Sequence, residues 1–408
     1  MLLLDTELSF QCPGETGSIS ASVHRARLAS GYHKCQTCSH NNTKNAGKVT
    51  SFDDPSELIH EGHRLRGVYL RPLTPKTVLS ALAEPLNSLW HQTVRTVSTD
   101  ARSPRQNLYR PSIAVSCDLR HPSLEIYRQL LAGLELTGCH IVELGPLPEA
   151  QFCFGIQHHN VTAGIYITGN DHGPANSGFN LYSEHGLPWS LPAFDSQSMR
   201  ARLTRTAATL RQERITLAYE THIRKFFHGL RPLRVFVGVT DEIMKGTVDR
   251  LFEKLPCVML SQVIPPQAHD SWPMLTSLVP EHHCDVGLLI DEDAGRVQLI
   301  DELGHPASSP SLLQLASRAL RQEQPTSQLS VAQSFATPAL LEQGVMLAKP
   351  TLSDATRDMY EQRSGLALLE EGRLWHFDQH PRCDALVTLA WVLKSLSLAD
   401  TPLSELVS

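Results

Sequence analysis

Between residues 111 and 300 short apolar runs alternate with longer amphipathic stretches. Residues 112–116 are apolar or small and too few for a helix, and predict a strand. Pro122 and Ser123 supply a helix start, the stretch to 136 has helical periodicity, and Gly138 is its stop. Residues 139–144 predict the next strand, closed by Gly145 and Pro146. A second helix is expected over 149–159 and a third strand over 163–167. Strand and helix alternating at these lengths argue for right-handed βαβ units in a parallel or mixed sheet. The loop after residue 167 then lies at the carboxyl end of the sheet, where such folds bind ligands.

The cycle repeats. Residues 234–239 predict a strand, 241–255 a helix and 257–260 a strand. The run 285–290 predicts another strand, which ends in Asp291, Glu292, Asp293, Ala294, Gly295 and Arg296. Residues 297–300 then look like the return strand of a hairpin. A third unit starts near residue 308 and ends in an apolar helix over 384–396. The fold class expected is therefore α/β, in three consecutive units with mixed sheets: 61–205, 206–307 and 308–408. Residues 1–60 are rich in Ser, His, Asn and Thr, have no sustained period, and predict a poorly ordered extension. His33, Cys35, Cys38 and His40 within it resemble a zinc-ligand set, although their spacing is tight for a structural site and equally suits a Cys/His-rich tail.

Composition narrows the function. A net charge of -6 without long single-sign runs argues against nucleic acid or anionic lipid as a partner. No stretch approaches the roughly 18 to 20 apolar residues of a membrane span. The first residues lack the basic region of a signal peptide. Nine cysteines, an odd number scattered among apolar segments, suit reduced thiols. Together these features predict a cytoplasmic chain, and no protein partner can be read from them.

Several loops, taken in order, carry a resemblance. Leu65-Arg66-Gly67-Val68 with Leu73-Thr74-Pro75 resembles I-R-G-V and L-T-P. Val115 to Arg120 resembles V-G-R-D-x-R, and Gly145 to Pro148 resembles the turn G-x-x-P-T-P. Thr168 to Asn180 lies without a gap over T-A-S-H-N-P-x-x-Y-N-G-F-K. Cys284 to Gly287 and Asp291 to Arg296 match A-D-L-G and D-G-D-x-D-R. Leu368 to Leu374 falls on G-G-E-E-S-G-H, and Asp384 on the aspartate of T-G-D. These are the motifs of the α-D-phosphohexomutases, the phosphomannomutase and phosphoglucomutase family, and the resemblance spans about residues 64 to 407. It implies three domains of that fold, with the family's fourth, phosphate-gripping domain missing after 402–406.

The resemblance implies phosphoryl transfer through a phosphoserine beside Mg²⁺ held by three aspartates. Asn170 stands at the serine, with Asp171 and His172 following it as the other candidate catalytic residues. An amide nitrogen is not a usable nucleophile, and loss of a nucleophile costs roughly 10⁴ to 10⁶ in rate. Asp171 is an alternative, through an aspartyl phosphate. For the metal, Asp291 and Asp293 are retained, Gly295 replaces the third carboxylate, and Arg296 is adjacent but not a ligand. Mg²⁺ is therefore expected to bind weakly or not at all. Arg66, Arg120, Glu370 and Glu371 are the implied hexose-phosphate contacts, with Arg373 as a further cation toward phosphate. Framework kept and chemistry altered is the pattern of a pseudoenzyme, a sugar-phosphate binder or scaffold. The alternative is an active mutase with an unusual nucleophile.

Overall fold

Apolar runs between polar turns become the strands of mixed sheets, as seen in a computed structural model that describes residues 9–11, 18–20, 27, 58–70, 73–98, 110–170, 172, 175–191, 208–264, 271–377, 380–398 and 400–407. Residues 1–56 and 57–408 are separate units. In the first, β1 (Ser9–Gln11) and β2 (Ser18–Ser20) form an antiparallel pair, an ordered element within the stretch expected to be poorly ordered. The strands escaped prediction because three residues are too few to show a period. His33, Cys35, Cys38 and His40 lie outside the described residues.

The second unit holds three sheets. The first contains β3 (Ile59–Glu61), β4 (Arg64–Val68), β5 (Ser112–Cys117), β6 (His140–Pro146), β7 (Ala163–Ile167), β8 (Asn176–Ser183) and β9 (Thr209–Gln212), in the order β3-β4-β8-β7-β5-β6-β9. Strands β5, β6, β7 and β9 run parallel, and β8 returns antiparallel to β7. The second contains β10 (Arg234–Val239), β11 (Val258–Val263), β12 (Val286–Ile290) and β13 (Val297–Ile300), ordered β11-β10-β12-β13. The third contains β14 (Leu329–Val331), β15 (Met346–Leu347), β16 (Leu366–Glu370), β17 (Arg373–His376) and β18 (Arg382–Cys383), ordered β15-β14-β16-β17-β18. Each sheet thus repeats one motif: a first strand flanked by two parallel neighbours, the second of which turns back as a hairpin. The loops after residues 167, 290 and 370 are the equivalent hairpin turns of three such motifs.

The helices begin where the capping chemistry sets them. Asp241 caps Glu242–Phe252 and Asp384 caps Ala385–Ser397, so both aspartates precede rather than start their helices. The helix His121–Leu134 carries proline in its first turn and gives way to a 3-10 turn closed by Gly138 at φ 73°. Ala385–Ser397 is buried over nearly its whole length and packs into a core shared by strands of all three sheets, including Ala114, Val235, Val286 and Leu368. Among the described residues, no helix is long and apolar enough to cross a membrane.

Beneath that helix lies a fully buried ion pair. The Arg382 Nε donates to Asp384 Oδ2 at 2.8 Å, and the same carboxylate accepts from Leu386 N, Val387 N and the Tyr219 hydroxyl. Asp384→Ala strips a buried cation of its counter-charge and a helix of its cap. It is expected to lower unfolding free energy by roughly 3–5 kcal/mol, read from urea denaturation. A loss below about 1 kcal/mol would show that water replaces the carboxylate.

Candidate functional site

The three hairpin turns meet. The first leaves β7 through Thr168, whose buried hydroxyl accepts from Asn170 N at 3.0 Å. Asp118, at the end of β5, accepts from Gly169 N at 3.4 Å and from Arg120 N at 3.0 Å. Burial pushes its carboxyl up, opposed by hydrogen bonds from Ser123 and Thr168. Glycine at 169 is required by space: a Cβ there would lie 2.0 Å from the Asn176 carbonyl oxygen. Held this way, Asn170 points its amide across to the second turn. Its Nδ2 donates to Asp293 Oδ2 at 2.5 Å and reaches Asp291 Oδ2 at 3.4 Å. His172 is half-buried, its Nδ1 is 3.4 Å from the Asn170 carbonyl, and its own carbonyl accepts from the Asn176 amide. Asp171 lies outside the described residues.

The second turn is tied from within and without. Asp291 Oδ1 accepts from the backbone N–H groups of Gly295 at 2.9 Å and Arg296 at 3.0 Å. Ala294 sits at φ 54°, a left-handed conformation that costs a non-glycine residue roughly 1–2 kcal/mol. The carbonyls of Asp293 and Ala294 accept from Ala150 N at 3.3 Å and Ala385 N at 2.8 Å, first-turn donors of two helices that have no partner inside their own helix. Glu292 instead lines a cleft of about 220 Å³ with Asp118, Arg120, Gln151, Thr240 and Asp241.

The third turn passes through Gly372 at φ 67°, where a Cβ would lie 2.9 Å from the Val297 carbonyl. Val297 N donates to the Gly372 carbonyl at 2.8 Å, which joins the second and third hairpins. Glu371 accepts from the Ser309 hydroxyl at 2.7 Å, and Ser309 accepts in turn from Gly372 N. Glu370 pairs with Arg64 at 2.7 Å. Both glutamates are thus engaged with neighbours rather than presented bare.

Arg373 turns inward and is 3% exposed. Its Nη2 is 3.1 Å from Asp291 Oδ2 and 3.7 Å from Asp293 Oδ2, and its Nη1 is 3.7 Å from Glu149 Oε2. Burial disfavours the cation, but Asp291, Glu370, Asp293 and Glu149 together outweigh it and hold the guanidinium well above its ordinary value. The guanidinium occupies space beside Gly295, where a Cβ would lie 2.6 Å from Arg373 Nη1. Arg66 is likewise committed to the fold. It is 3% exposed and donates to the carbonyls of Leu65 and Phe179 and to Asn180 Oδ1 at 2.6 Å. Arg120 remains half-exposed on the cleft wall.

Sequence reasoning missed Glu149. This first-turn residue of the helix Glu149–His158 is buried, and its Oε1 accepts from the Tyr182 hydroxyl at 2.5 Å and from the Asn180 amide. An acid directly after Pro148 in a turn at the strand ends was the available signal. Arg64 was missed because nothing in its own strand marks it as the partner of Glu370.

The carboxylates of the acidic turn face donors of the chain itself. Mg²⁺ takes about six oxygens near 2.1 Å. Asp291 Oδ1 is filled by two backbone donors, the Oδ2 atoms of Asp291 and Asp293 face the Asn170 amide and the Arg373 guanidinium, and residue 295 offers no side chain. Among the described residues no other group of His, Cys, Asp or Glu is arranged to hold a metal.

Burial, then Glu149 and Asp291, raise the Asp293 carboxyl well above its ordinary 3.8, with Arg373 opposing. A carboxyl raised on folding binds more protons folded than unfolded. Its contribution to stability is therefore present below about pH 4 and lost as pH rises through the folded value. Asp293→Asn keeps an oxygen for Asn170 and Arg373 but cannot titrate. Stability of the wild type relative to this variant should fall between about pH 4 and pH 7, measured by urea unfolding at each pH. A difference that is flat or rises with pH would contradict the assignment.

Comparison with known proteins follows the same geography. The family model described as phosphoglucomutase/phosphomannomutase, alpha/beta/alpha domain I, matches residues 65–205. The phosphoglucosamine mutase of Chlamydia trachomatis serovar D is 22% identical over 323 residues, covering 72% of this chain and 70% of that protein. The phosphoglucosamine mutase of Neisseria meningitidis serogroup A is 22% identical over 325 residues, covering 72% of each. Among solved structures, a phosphoglucomutase/phosphomannomutase family protein from Burkholderia thailandensis superposes with a TM-score of 0.69 at 19% identity, covering 85% of this chain and 78% of that one.

Proposed function

Because the chain belongs to the α-D-phosphohexomutase family, we propose that it works in hexose-phosphate metabolism, as a protein that binds a hexose phosphate without passing its phosphoryl group through the chain. The observation that carries this reading is the Asn170 amide donating to Asp293 and Asp291. In-line transfer needs a nucleophilic oxygen with a free lone pair and a cation that neutralises the moving charge. At residue 170 the chain offers a donor already hydrogen-bonded to carboxylates, and an amide nitrogen whose lone pair is delocalised. Ser177, the hydroxyl further along the same loop, is buried beside Ser123 at 3.2 Å.

Binding draws on groups the fold leaves near the surface. Glu370 and Arg64 form a partly exposed pair, suited to receive sugar hydroxyls and to hold them in one orientation. Arg120 contributes a cation on the cleft wall, at the start of the helix His121–Leu134, where the helix end also favours an anion. The three repeats, 61–205, 206–307 and 308–408, are the domains of this reading, set in the cytoplasm.

Two measurements decide it. In a coupled assay with glucose 1-phosphate, mannose 1-phosphate or glucosamine 1-phosphate, supplied with the matching bisphosphate and Mg²⁺, no turnover above background is expected. Turnover abolished by Asn170→Ala or Asp171→Ala would establish the active-mutase alternative instead. A thermal-shift titration with the same hexose phosphates should raise the melting temperature. A ligand at 100 times its dissociation constant stabilises by about 2.7 kcal/mol. No shift with any of them would leave a scaffold role in place of binding.

A further inference from the structure

We propose that the Arg373 guanidinium is a built-in replacement for the divalent cation, so that the acidic turn 291–296 does not take Mg²⁺, and that Asn170, Gly295 and Arg373 form one coupled set of changes. Each member answers another in space. Removing the side chain at 295 opens the volume into which Arg373 Nη1 projects. Arg373 then faces the Oδ2 atoms of both retained aspartates and the far side of Glu149. Asn170 closes the remaining side, donating to the same two Oδ2 atoms. The carboxylate oxygens that would turn toward a divalent ion are therefore covered by N–H donors belonging to the chain itself.

The chemistry of the two cations differs in ways that matter here. A guanidinium is planar and permanently charged, presents a fork of donors, and is more weakly hydrated than an ammonium ion, which favours it in a buried carboxylate cluster. It cannot leave, so the site needs no metal and should not respond to chelators. It offers hydrogen-bond donors rather than coordination positions, so it would not supply the Lewis acidity of a divalent metal. The inference stands on these contacts alone, whether or not a hexose phosphate binds nearby.

Mn²⁺ is the probe. The full chain, stripped with EDTA, is titrated and free Mn²⁺ is followed by its electron paramagnetic resonance signal. The wild type is expected to bind no stoichiometric Mn²⁺ at millimolar concentration, and its melting temperature should match in Mg²⁺ and in sodium chloride of equal ionic strength. One bound Mn²⁺ per chain, lost in Asp293→Asn, would overturn the proposal. The triple variant Asn170→Ser, Gly295→Asp, Arg373→Ser should gain one Mn²⁺ per chain, at least tenfold tighter than any wild-type binding, and lose it again on adding Asp293→Asn. A triple variant that keeps wild-type circular dichroism but gains no Mn²⁺ would refute the coupling. Should the triple variant not fold, Arg373→Met alone decides: its lowered melting temperature should recover with Mn²⁺ and not with sodium chloride. Equal recovery in both salts, or in neither, would count against Arg373 standing in for the ion.

Discussion

One guanidinium holds the centre of this protein together. Asp291, Asp293 and Glu149 bring three carboxyl groups into a water-poor space, and Arg373 is the cation that faces all of them. Each charge costs several kcal/mol to desolvate, and attraction at about 3 Å returns on the order of 5 kcal/mol per contact at an effective permittivity near 20. Several acids shared by one cation offset the cost of burying this guanidinium. Three acids against one cation leave a negative excess, and burial first, then Glu149 and Asp291, raise the Asp293 carboxyl. The remaining excess is absorbed by neutral donors: the Asn170 amide, the Tyr182 hydroxyl, the Asn180 amide and the backbone of the acidic turn.

The cluster can form because three sheets repeat the same strand order. Placing the hairpin in the same position of each motif brings the turns after residues 167, 290 and 370 to one location. Helix ends then fix them. Ala150 and Ala385 spend their otherwise unmatched N–H groups on carbonyls of the acidic turn, and Ser309 holds Glu371 and Gly372 at the start of its own helix. The apolar helix Ala385–Ser397 lies in a core common to the three sheets, so the turns rest on one body of packed side chains rather than on flexible loops.

Much of the framework is legible in the order of residues. The runs at 163–167 and 297–300 mark their strands to the residue, since both are mainly apolar and are followed by the polar residues Thr168 and Asp301. Helix ends shift by one position at Asp241 and Asp384 because a cap looks like a first residue until its φ and ψ are known. Asn170 and Gly295 also stand out from position alone, as the places where the chain departs from the motifs it resembles. The aim of Arg373 does not. Its partners are 82 and 80 residues away in sequence, and its direction depends on the space left by a glycine on another hairpin. Glu149 escaped for the same reason, as its hydrogen bonds come from β8 and its ionic contact from β17.

Coupling of this kind constrains what single substitutions can do. Restoring aspartate at 295 alone places a Cβ 2.6 Å from Arg373 Nη1 and adds a fourth carboxyl to a cluster already short of positive charge. Removing Arg373 alone leaves Asp291, Asp293 and Glu149 without their common cation, the situation in which breaking a buried pair is most damaging. Serine at 170 alone exchanges an amide that donates to both aspartates for a hydroxyl with one proton to give. Residues sharing partners at such distances are expected to be strongly non-additive. A substitution at 170, 295 or 373 is therefore felt by the other two positions, because the three share the Oδ2 atoms of Asp291 and Asp293 or the space beside them.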